Sequence, residues 1–97
     1  MVSINKSSDS ELRMVKFEFT AGNGHKVALA GSFNDWEQEV IMMEYSETTG
    51  RYFCEIALLC GTYEYKFVID GEWETDPDNQ NFAANDFGTL NSVVIVG

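Results

Sequence analysis

Only one of the 97 residues is proline, one is histidine and two are cysteine, while six Lys and Arg face sixteen Asp and Glu. Each scarcity removes a class of chemistry. His25, the sole histidine, stands beside an Asn-Gly turn and reads as a solvated loop residue rather than a metal ligand or catalytic base. Cys54 and Cys60 lack zinc-ligand spacing. Along extended chain they lie about 20 Å apart, whereas a disulfide tolerates Cα atoms no more than about 7 Å apart. They are expected as thiols that pack rather than pair, which suits a reducing compartment. The net charge of −10 repels phosphate backbones and anionic lipid surfaces, so neither nucleic acid nor membrane is an expected partner. No apolar run approaches the length of a membrane helix. The N-terminus has no apolar core of a signal peptide, and with Met1 as the native start a cytoplasmic location is expected.

The motifs that announce common cofactors fail on inspection. Asp76-Pro77-Asp78 begins like a calcium loop, but Asn81 sits where the glycine is needed and Phe87 where the bidentate Glu belongs. Gly22-Asn23-Gly24 is not a dinucleotide fingerprint, because position 27 is Val. Carboxylates are numerous enough for a glycosidase pair, yet nothing in their spacing selects two. The chain is therefore expected to be no enzyme and to need neither metal nor cofactor.

What remains is a period-two pattern along nearly the whole length. Residues 1–10 are rich in Ser and charge and are expected as a disordered lead-in, with the folded domain spanning 11–97. From Leu12 onward Val15, Phe17 and Phe19 share one face, which predicts a strand; Gly22-Asn23-Gly24 then predicts a hairpin turn. Further strands are predicted at Lys26–Ala30, Val40–Met43, Arg51–Leu58, Thr62–Ile69 and Asn91–Val96, with Ser46–Gly50 and Gly61 as turns and Asp76–Asn85 as an irregular loop. Seven or eight short strands with turns about every 8–12 residues, and no convincing helix, predict an all-β, immunoglobulin-like antiparallel sandwich.

Two tryptophans stand out against this pattern. Trp36 ends the loop Gly31-Ser32-Phe33-Asn34-Asp35-Trp36, where folding back on a sheet and meeting a partner are equally open. Trp73 is more constrained. A tight Asp70-Gly71 turn pairs Ile69 with Glu72, Val68 with Trp73 and Phe67 with Glu74, which turns Trp73 away from the row of Tyr63, Tyr65, Phe67 and Ile69 and toward Lys66. An indole offered outward beside an amine suits a sugar, whose C–H face stacks on the ring and whose hydroxyls need donors and acceptors at the rim; Asn91 adds an amide able to do both.

Four ordered motifs carry a resemblance. Val27-Ala28-Leu29-Ala30-Gly31-Ser32-Phe33-Asn34-Asp35-Trp36, then Gly61-x-Tyr63-x-Tyr65-Lys66-Phe67-Val68-Ile69-Asp70-Gly71-x-Trp73, then Asp76-Pro77, then Gly88-Thr89-Leu90-Asn91 resemble carbohydrate-binding module family 48. The likeness is greatest to the glycogen-binding domain of AMP-activated protein kinase β subunits, and it runs from about Leu12 to Val96. It implies an early-set immunoglobulin-like sandwich that binds α-1,4-linked glucan without catalysis. Trp36 and Trp73 would stack on successive glucose rings, and Lys66, Thr89 and Asn91 would hydrogen-bond hydroxyls. Phe87 replaces the leucine that the kinase domain carries before Gly-Thr and is the sixth candidate binding residue, its larger ring expected either to stack on the glucan or to block that mode of contact. The resemblance also implies an attached or associated catalytic domain, of amylase type or within a kinase complex. A second expectation is a protein-interaction module of the same fold whose aromatics form a subunit interface.

Overall fold

Leu12–Thr20 forms a nine-residue strand in the computed structural model, which describes residues 1–6 and 12–97. In chain order the strands are β1 (Val2–Lys6), β2 (Leu12–Thr20), β3 (Val27–Gly31), β4 (Ile41–Met42), β5 (Glu44–Ser46), β6 (Arg51–Leu59), β7 (Gly61–Ile69), β8 (Glu72–Glu74), β9 (Phe82–Ala84) and β10 (Leu90–Val96). A single 3-10 turn, Ser32–Asn34, is the one helical element among the described residues. No helix there is long and apolar enough to cross a membrane.

The strands form two antiparallel sheets packed face to face. One runs β1-β2-β6-β5; the other runs β4-β3-β7-β10-β9, with β8 added to β7. Their inner faces supply the core expected from the alternation: Val15, Phe17 and Phe19 from β2 meet Leu29 of β3, Tyr65 and Phe67 of β7, and Val94 and Val96 of β10. The aromatic edges interlock across the gap, Phe17 on Tyr65 and Phe19 on Phe67, each with ring centroids 4.9 Å apart. Such tilted pairs add about 0.5–1.5 kcal/mol each beyond the area they bury.

Three expectations fail, each because pairing between distant segments overrides a local signal. Val2–Lys6 is a strand rather than disordered lead-in: it pairs with β2 from Val2↔Phe17 to Lys6↔Arg13, filling an edge that local composition does not reveal. The remainder of the expected lead-in, residues 7–10, lies outside the described residues. Gly22-Asn23-Gly24 does not close a hairpin. Both neighbours of β2 are already taken by β1 and β6, so the chain crosses to the opposite sheet. The buried Tyr52 hydroxyl pins this crossing, accepting from His25 N and donating to Gly22 O, both at 2.9 Å. Finally, β5 and β9 are short strands where no strand is expected, since three residues carry too little pattern to declare themselves.

The Asp76-Pro77 motif turns out to be an anchor. Asp76 is fully buried; it accepts from the Tyr65 hydroxyl (2.7 Å), from Asp78 N (2.9 Å) and from the Met1 amino group, while its own N–H donates to Ser92 Oγ (2.8 Å). Burial, with the neighbouring Asp76 charge adding to it, pushes the Tyr65 phenol far above its usual range, so Tyr65 stays a donor. This cluster ties the start of the loop between β8 and β9 to the inner face of β7 and β10.

Candidate functional site

The outer face of the second sheet begins with small residues. Ala28 and Ala30 of β3 pair with Val68 and Lys66 of β7, leaving a shallow floor on which a large ring can lie. Trp36 packs there, half-buried against Ala28, Ala30 and Val68. It arrives by a strained route, because Asp35 and Trp36 both adopt left-handed backbone at φ 55° and 59°. Asx chemistry holds the bend. Asn34 Oδ1 accepts from Gly31 N at 3.0 Å, Asn34 Nδ2 donates to Glu37 O at 3.2 Å, and Trp36 N reaches Gly31 O at 3.0 Å.

Trp73 comes from the opposite direction. Asp70 and Gly71 lie at φ 49° and 86°, the positive values a two-residue hairpin requires, and the register is Ile69↔Glu72, Val68↔Trp73 and Phe67↔Glu74 as the turn predicts. The Asp70 carboxylate braces this turn against the crossing, accepting from Lys26 N at 2.9 Å and meeting His25 Nδ1 at 2.6 Å; these bonds hold its pKa below the usual carboxylate value. The two indoles end with centroids 6.3 Å apart at 53°, Trp73 being 39% exposed.

Opposite the indoles, the segment from Asn85 to Asn91 supplies the polar wall. Lys66 Nζ donates to Thr89 Oγ1 (3.2 Å), and Asn91 Nδ2 donates to Glu64 Oε1 (2.9 Å). Phe87, 91% exposed, projects at the rim. Trp36, Lys66, Trp73, Phe87, Thr89 and Asn91 thus line one open cavity of about 690 Å³, although they come from three separated stretches of chain. All six candidates are brought together, but not on equal terms. Asn91 is buried at 7% exposure, with its carbonyl and one N–H engaged by the protein, and so presents less to a ligand than its motif suggests.

The same wall contains residues that motif reading misses. Asn85 donates to Thr89 Oγ1 and Asn91 Oδ1, and Glu64 and Ser32 also line the cavity. Alternation does place Glu64 on the outer face with Lys66, which is the one signal that could have found it. Asn85 lies in the expected loop, where nothing local distinguishes it from other turn residues. Among the described residues no group of three His, Cys, Asp or Glu is arranged to hold a metal ion. The cavity combines flat apolar rings with fixed donors and acceptors, an arrangement suited to orienting a polyol.

Comparison with known proteins agrees with this fold. A family model described as the glycogen recognition site of AMP-activated protein kinase matches residues 13–97. The chain is 30% identical over 95 residues to the β-1 subunit of 5′-AMP-activated protein kinase from Bos taurus, covering 98% of this chain and 33% of that protein. It is 34% identical over 79 residues to the chloroplastic protein PTST of Arabidopsis thaliana, covering 80% of this chain and 27% of that one. It therefore spans about a third or less of these two relatives. Among solved structures, a maltogenic amylase from S. marinus superposes with a TM-score of 0.82 at 18% identity, over 100% of this chain and 16% of the amylase, which shows a shared fold.

Proposed function

The chain belongs to the family of the glycogen recognition site of AMP-activated protein kinase, and from that premise we propose that it is a noncatalytic module that binds α-1,4-linked glucan, such as glycogen, starch or a maltooligosaccharide. Trp36 and Trp73 offer their faces to successive glucose rings, and Phe87 closes the far side. Lys66 and Thr89 hydrogen-bond hydroxyls, with Asn91 behind them. The observation that supports this reading is the convergence of these residues, from three stretches of chain, on one open cavity of about 690 Å³.

The chemistry of the lining fits the proposal. A neutral sugar escapes the repulsion that a net charge of −10 imposes on anions. An open site buries less ligand surface than an enclosed pocket, so affinity is modest and rises with the number of rings engaged. We also propose that the module works beside a catalytic domain, attached or associated, since it matches 33% of the Bos taurus kinase β-1 subunit and superposes on 16% of a maltogenic amylase. Titration with maltoheptaose is expected to change tryptophan fluorescence, and Trp73→Ala to lose at least tenfold in affinity. A wild-type chain whose fluorescence and native-gel mobility ignore maltoheptaose and glycogen would overturn the reading.

A further inference from the structure

The polar wall has a direction, and that direction can be worked out from donors that allow no choice. Backbone N–H groups only donate. Phe87 N and Thr89 N both point at one end of the Asn85 side chain, at 3.0 and 3.1 Å, so that end must be the carbonyl Oδ1. Its Nδ2 then carries two protons, directed to Thr89 Oγ1 at 2.7 Å and to Asn91 Oδ1 at 2.9 Å. Asn91 is in turn oriented with Nδ2 toward Glu64 Oε1 at 2.9 Å, where a carboxylate accepts. The chain of bonds is satisfied in this one sense and would clash in the other.

Two consequences reach the cavity. Thr89 Oγ1 already accepts from Asn85 Nδ2 and Lys66 Nζ, which uses both its lone pairs and leaves its own proton to donate outward. At the other end, Glu64 spends one carboxylate oxygen on Asn91 and retains the second as an acceptor. We propose that Asn85 is a positioning residue that sets the hydrogen-bond polarity of the site, donors at Lys66 and Thr89 and an acceptor at Glu64, and that Glu64 is a further ligand-binding residue. The ligand so selected is an uncharged sugar that offers a hydroxyl proton toward Glu64 and oxygens toward Lys66 and Thr89. Glu64 and Asp86, both lining the cavity, disfavour a phosphorylated or otherwise anionic sugar. This inference rests on the glucan reading above.

Asn85→Asp separates polarity from loop shape. It keeps the one oxygen that accepts from both the Phe87 and Thr89 N–H groups but donates nothing, so the Thr89 proton turns inward and Asn91 must present Oδ1 to Glu64. Calorimetric titration with maltoheptaose is expected to show at least a tenfold loss for Asn85→Asp and a smaller, roughly threefold loss for Glu64→Gln. The double variant supplies an amide donor at position 64 for the reversed Asn91. It is expected to recover the melting temperature lost by Asn85→Asp without recovering affinity, a split that a merely structural role would not produce. Wild-type binding together with Asn85→Asp binding within twofold of it would overturn this inference alone, as would affinity returning in step with the melting temperature in the double variant. A wild type that leaves maltoheptaose unbound would overturn the glucan reading and this inference with it.

Discussion

Trp36 and Trp73 face one cavity from different supports, and their removal should not be equivalent. Trp36 covers Ala28, Ala30 and Val68, so its ring is part of a small second core. Trp73 stands on a three-residue strand with its ring exposed to solvent. Trp36→Ala is expected to cost about 1–3 kcal/mol of stability as well as affinity, from the apolar surface it uncovers. Trp73→Ala should cost affinity with less than about 1 kcal/mol of stability. Urea denaturation read beside calorimetric titration tests the contrast, and equal stability losses for the two would contradict it. The outward pose of Trp73 was legible in the sequence, because a two-residue turn sets register and register sets face. That of Trp36 was not. Its placement depends on two successive left-handed residues and on the small side chains of another strand pair, neither of which the loop sequence specifies. Of the two cysteines, Cys54 was legible: burial, with the Glu55 charge adding to it, pushes its thiol up to about 12, which fits the expected packing role, whereas Cys60 is exposed.

Among the elements, β3 explains why the loop beyond it needs Gly31. Gly31 is extended, at φ −171°, so no conformational freedom is involved. The constraint is space. A Cβ there would lie 2.5 Å from the backbone oxygen of Glu64 and 2.7 Å from the Phe33 ring. Because one obstacle is backbone of the paired strand, it cannot rotate away, and β3 would have to part from β7 at Gly31↔Tyr65. Gly31→Ala is expected to destabilise the protein by about 1–3 kcal/mol and to displace Trp36. A thermal melt paired with the Trp36 indole resonance checks both, and a variant with unchanged melting temperature and indole shift would refute the close-approach account. Strands with long alternation, β2, β6 and β7, follow from sequence because each residue repeats the same statement about its face. The short strands β5 and β9 exist only because a longer neighbour offers a free edge.

At the scale of the whole molecule, charge and shape set what can approach. With a net charge of −10 and a neutral proposed ligand, no counterions are released on binding. Maltoheptaose affinity should therefore change by less than about twofold between 0.05 and 0.5 M NaCl, in contrast to the steep slopes of phosphate-binding proteins. Titration at the two salt concentrations decides it, and a tenfold fall would point to an anionic ligand. The sequence by itself determined the class of fold, the hairpin that aims Trp73 and the family, because alternation, turn chemistry and ordered motifs are local properties repeated often enough to add up. Only the tertiary structure decided that β2 and β3 lie in different sheets, that Val2–Lys6 joins the first of them, and that Asn85 and Glu64 complete the wall. Those outcomes turn on which edges remain free and which side chains meet across long sequence separations, such as the 27 residues between Glu64 and Asn91. A chain read one segment at a time does not contain that information.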